Sequence, residues 1–82
     1  MAFSLYLSRV AEAWLDYRTD EQAALVYDWL FRLAASGEWP GEPVRGYEPR
    51  ARVARVGNTN VSALYVVYEA RNEISVLRFD EL

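Results

Sequence analysis

Three strand-like runs in the second half of this 82-residue chain, Arg50–Val56, Val61–Glu69 and Ile74–Phe79, are separated by connections too short for anything but hairpins. Gly57-Asn58-Thr59-Asn60 offers the Gly and Asn that a tight turn needs, and Arg71-Asn72 makes a second one. Parallel neighbours would need a crossover of about a dozen residues. The three runs are therefore expected as an antiparallel meander. In the middle run, Leu64-Tyr65-Val66-Val67-Tyr68 is apolar on both parities, as befits a central strand covered on both sides or one with an aromatic face turned to a partner.

The first half has a different period. Ala2 to Leu7 is short, apolar and aromatic, a strand that feeds directly into a helix with Ser8 as N-cap and Glu12 in the first turn. Val10, Ala13, Trp14 and Tyr17 then recur at helical spacing, and this helix is expected to stop near Arg18. Thr19 and Gln22 fit a capping box, with Asp20 and Glu21 at the positive end of the next helix dipole. Along that second helix Ala23, Val26, Tyr27, Leu30, Leu33 and Ala34 form one stripe, Asp28 and Arg32 fall outside it, and Gly37 is a natural C-cap. Glu38-Trp39-Pro40-Gly41-Glu42-Pro43 reads as a connection. The expected fold is α+β: an N-terminal strand, a two-helix hairpin, then a twisted antiparallel sheet of about four strands.

Eighty-two residues are expected to make one domain, 1–82, because a chain of this length buries only roughly 60–65% of its unfolded surface and has no material for a second core. Its longest apolar stretch is far below the roughly 20 residues of a membrane helix. The opening Met1-Ala2-Phe3-Ser4-Leu5 has no basic segment of the kind that starts a secretory signal, so a soluble, cytoplasmic chain without a membrane partner is expected.

The chain contains no His, no Cys and no Lys, and all nine of its basic side chains are Arg. That removes imidazole proton relays, thiolate nucleophiles, thiolate or imidazole metal sites and Schiff-base lysines from the available chemistry. Neither a metal nor a cofactor is expected. Guanidinium clamps and stabilises but is a poor base, so any activity is positional and electrostatic, or is binding alone. The net charge of −3 argues against general nucleic-acid binding, yet residues 1–42 carry −4 and residues 43–82 carry +1.

Several pieces, in this order and spacing, match a known pattern: Leu5-Tyr6-Leu7-Ser8 with helical Ala11 to Leu15, Leu30-Phe31-Arg32-Leu33, Gly41 to Arg45, Arg55-Val56-Gly57, Tyr65-Val66-Val67-Tyr68, and Ile74-Ser75-Val76-Leu77-Arg78. Over nearly its whole length the chain resembles the RelE/ParE superfamily of bacterial toxin domains. The resemblance implies a type II toxin–antitoxin component, neutralised by a cognate antitoxin that wraps its surface. It implies one of two targets: messenger RNA cut on the ribosome by basic side chains without metal, or DNA gyrase bound and inhibited. The chain departs from the family pattern in three places. Tyr65 occupies the position of a motif arginine, Phe79-Asp80-Glu81-Leu82 replaces a glycine followed by a basic residue, and the loop Gly57 to Ser62 is longer.

If RNA is cut, the candidate catalytic set is Arg52, Arg55 and Arg78, with Arg45 and Arg50 completing a face that binds phosphate or carboxylate. Arg50 and Arg52 share one side of their strand, and Arg55 joins after a change of face. The plain reading of these arginines is a solvated sheet edge that resists strand addition. Tyr65 and Tyr68 point to opposite sides, so at most one stacks on a partner from the arginine face and the other is core. Trp39, beside Pro40, suits an interface. Asp80 and Glu81 read as free terminal charge. The alternatives left open are a non-catalytic interaction module, a gyrase-type inhibitor, and a chain that pairs with its own copy.

Overall fold

The helices begin where side chains can satisfy their free amides. In the computed structural model, which describes residues 3–46 and 50–82, strand β1 (Ser4–Leu7) runs into helix α1 (Arg9–Asp16) and then helix α2 (Asp20–Ser36). The Ser8 hydroxyl accepts from the Ala11 amide at 3.0 Å. Thr19 and Gln22 form the full capping box, with bonds of 3.2 and 3.3 Å, and Gly37 closes α2 in the left-handed region at φ 70°. Asp28 and Arg32 pair across one turn at 3.1 Å on the exposed side.

Five strands make one sheet in the order β1-β5-β4-β3-β2, with β2 at Glu42–Pro43, β3 at Ala51–Arg55, β4 at Val61–Tyr68 and β5 at Glu73–Glu81. The β3-β4-β5 meander is antiparallel as expected, and β4 is the central strand. Two features enlarge the expected four-stranded sheet. β1 lies parallel to β5, Leu5 beside Ile74, which makes the sheet mixed. The stretch read as a plain connection contributes β2, whose proline is tolerated because it sits on the outer edge. Asp80 and Glu81 are strand residues of β5 and not loose terminal charge.

Both helices cover the same sheet face. Leu15, Val26, Leu30 and Leu33 bury themselves against Ala63, Tyr65, Val67, Ile74, Val76 and Phe79. α1 is rotated from the expected stripe: Ala11 and Leu15 point inward with Trp14 half-buried, whereas Val10 and Tyr17 are exposed at 64% and 85%. The cause is an anchor that local periodicity does not carry. Tyr65 pairs with Val76 but Leu64 pairs with Arg78, so Leu77 is an extra residue in β5, and its carbonyl accepts a hydrogen bond from the Ser8 hydroxyl. The same bulge shifts the alternation so that Phe79, rather than Arg78, joins the core. Tyr27, expected on the buried stripe of α2, is exposed and stacks on Phe31 at 6.3 Å.

Candidate functional site

Strand register decides where each arginine goes. Arg52 lies opposite Tyr65, whose side chain is in the core under the helices, so Arg52 and its same-parity neighbour Arg50 are on the helix side. Arg55 lies opposite Ser62, and Arg78 opposite Leu64, on the face away from the helices. Arg45 is exposed in the turn after β2. The five arginines therefore do not converge as a set: Arg50 and Arg52 are on the helix side, Arg55 and Arg78 on the opposite face, and Arg45 is in a turn.

On the open face, the central rows are Ala51 beside Val66 and Val53 beside Leu64. Ala51 and Val66 are buried there, outside the helix-side core. Arg78 is forked onto Asp80, Nε to Oδ2 at 2.8 Å and Nη2 to Oδ1 at 2.9 Å. That hydrogen bonding and charge pairing hold its guanidinium above the ordinary arginine value. A guanidinium already committed to a bidentate carboxylate has most of its fork occupied, and the carboxylate beside it repels phosphate. Tyr68 is also on this face, with Arg71 stacked over its ring at 4.5 Å.

The helix side carries a second constellation. Trp39, Arg50, Arg52, Val67 and Glu69 line a cleft of about 200 Å3. Arg52 donates from Nη1 to the Gly41 carbonyl at 3.1 Å, and the Tyr65 hydroxyl donates to the Pro40 carbonyl. Gly41, at φ 100°, is pressed so close to β3 that a β-carbon there would stand 2.2 Å from the Val53 carbonyl oxygen. The half-buried Trp39 ring meets Phe3 edge-on at 4.9 Å. These contacts hold the Trp39-Pro40-Gly41 loop in place. Sequence reading had no signal for them, because a Pro-Gly pair reports a turn and not which strand the turn will touch.

Of the two tyrosines, Tyr65 is the core one and cannot stack on a partner. Burial pushes its phenol from the ordinary 10.0 up to about 12, with the Arg52 charge acting in the opposite direction. Because the folded value is the higher one, the associated stability is complete below pH 10 and is lost as pH rises through about 12, where the unfolded chain releases its proton first. Urea midpoints are therefore expected to fall between pH 9.5 and 11.5, and less steeply in Tyr65→Phe. Equal slopes in the two proteins would show that Tyr65 is not the group responsible.

A further cation, Arg18, was not singled out by sequence. It stacks over Trp14 at 3.9 Å and pairs with Glu81 at 3.1 Å, tying the α1–α2 connection to β5. Its role is visible only once β5 is placed beside α1.

No family model and no curated protein matches the sequence. Solved structures do match it. The toxin–antitoxin complex RelBE2 from Mycobacterium tuberculosis superposes with a TM-score of 0.83 at 19% identity, covering 100% of this chain and 93% of that one. The intact E. coli RelBE toxin–antitoxin complex gives 0.80 at 14% identity, covering 99% and 98%. The chromosomal ParDE TA system from P. aeruginosa gives 0.67 at 23% identity, covering 99% and 97%. The chain has the RelE/ParE toxin fold. This likeness extends over essentially its full length, and the shared architecture is the one the resemblance implied. Among the described residues, no helix is long and apolar enough to cross a membrane.

Proposed function

We propose that the chain is the toxin component of a toxin–antitoxin pair and that it acts in the cytoplasm by binding protein, both a cognate antitoxin and a large cellular target, without cutting RNA. The observation that carries this reading is the division of the arginines. Stabilising a developing phosphorane needs several donors aimed at one point. Here Arg52 is behind the sheet, Arg55 is in front, and Arg78 is held by Asp80. The antitoxin part of the reading draws support from the matched structures, which include toxin–antitoxin complexes.

Induced expression in a bacterial host tests it. Growth arrest is expected while translated messages stay intact, and the double variant Arg55→Ala/Arg78→Ala is expected to arrest growth as the parent does. Co-expression of a neighbouring short reading frame is expected to relieve the arrest through a stable complex. Cleaved messages, with growth restored by the double variant, would establish an RNA endonuclease instead. Unimpaired growth would leave a binding module with the toxin fold.

A further inference from the structure

Trp39 is a wall shared by two depressions on the helix side. One is the Arg50–Arg52 cleft. The other is a mostly apolar groove of about 450 Å3 between α2 and the loop that follows it, where Trp29, Leu33 and Pro40 face the same indole. We infer that this surface is a two-pocket docking site for an extended segment of a protein partner: an apolar side chain enters the Trp29–Leu33 groove and a carboxylate two residues away meets Arg50 and Arg52. The inference rests on the proposed protein-binding function only in taking the partner to be a protein.

Three observations select that occupant. The first is charge. Arg52 spends one donor on the Gly41 carbonyl and has others to offer, Arg50 is exposed, and among the described residues neither forms a salt bridge. Two guanidinium groups in one cleft of an otherwise acidic molecule fit a carboxylate. The second is size. Sites for whole small ligands occupy roughly 300–1,000 Å3, so a cleft of about 200 Å3 suits one side chain. Glu69, in the same lining, offsets one of the two guanidinium charges, which leaves enough for one carboxylate and falls short of the continuous basic surface that a nucleic-acid backbone needs.

The third is spacing and rigidity. Trp39 lines both pockets, so they adjoin across one indole, and alternate side chains of an extended strand, about 7 Å apart on one face, are the nearest pair that can straddle it. The wall is fixed before binding: Tyr65 holds Pro40, Arg52 holds Gly41, and Phe3 backs the Trp39 ring. A prepared surface loses less freedom on association than a loose loop.

A displayed library of random heptapeptides, selected on the intact folded chain, tests the inference. Enrichment of an apolar residue followed two positions later by Asp or Glu is expected. A synthetic peptide of the enriched sequence, followed by calorimetry, is expected to bind Arg50→Glu about tenfold more weakly. Replacing its acid with Lys is expected to restore binding to that variant. Arg50 is exposed and precedes β3, so the variant keeps the fold, which circular dichroism verifies. No enrichment, enrichment without an acid at that spacing, or affinity indifferent to Arg50→Glu would each overturn the docking site. Loss of the growth phenotype with peptide binding intact would overturn only the toxin reading.

Discussion

Replacing Leu30 with Ala is expected to lower the melting temperature by on the order of 20 °C, measured by differential scanning calorimetry. Leu30 is 1% exposed at the centre of the α2 face that meets the sheet. Truncation removes methylenes from a close-packed site and leaves a void, at a cost of about 2–5 kcal/mol. In a domain of this length each kcal/mol moves the midpoint by about 4–8 °C. Leu25, one and a half turns earlier on the same helix, is 56% exposed, and Leu25→Ala is expected to change stability by no more than about 0.5 kcal/mol. Similar losses in the two variants would mean that α2 is seated on the other side from the one described.

Gly41→Ala is expected to cost about 3 kcal/mol by urea titration, although it adds one methyl group in an exposed loop. The new carbon would stand 2.2 Å from the Val53 carbonyl oxygen and 2.8 Å from the Ala54 β-carbon, and backbone cannot move aside as a flexible side chain can. Its φ of 100° adds strain for any residue with a β-carbon. Relief requires lifting the loop, which separates β2 from β3, breaks the Tyr65 and Arg52 contacts and exposes Trp39. A red shift of tryptophan emission should accompany the loss. Gly57 also has positive φ, at 55°, but open space around it, so Gly57→Ala is expected to cost only about 1 kcal/mol. The comparison separates close approach from backbone conformation.

What the sequence made legible was local. Ser8, Thr19 with Gln22, and Gly37 mark helix ends because a cap is chosen by residues within one turn of it. The β3-β4-β5 hairpins followed from turn length, and strict alternation showed that only one of Tyr65 and Tyr68 could be core. Two of the misreadings turn on which distant parts of the chain pack together, and two on short segments that carry no periodic signal. The stripe on α1 was misplaced because Ser8 is held by Leu77, 69 residues away. The arginine face was expected to be single because alternation relates Arg50 to Arg52 but does not reveal which face of the sheet the helices will cover. β2 was missed because two residues including a proline carry no period at all. Arg78 looked available because its partner, Asp80, was read as frayed.

The placement of β5 between β1 and β4 has a consequence for biogenesis. β1 is made well before the strand it hydrogen-bonds with, since residue 4 is registered against residue 73. Until β5 is made, β1 has no strand beside it and the helices can pack only against the β4 part of the sheet. A polypeptide stopped ahead of Glu73 would lack the strand that joins β1 to β4, and with it Ile74, Val76 and Phe79 of the core.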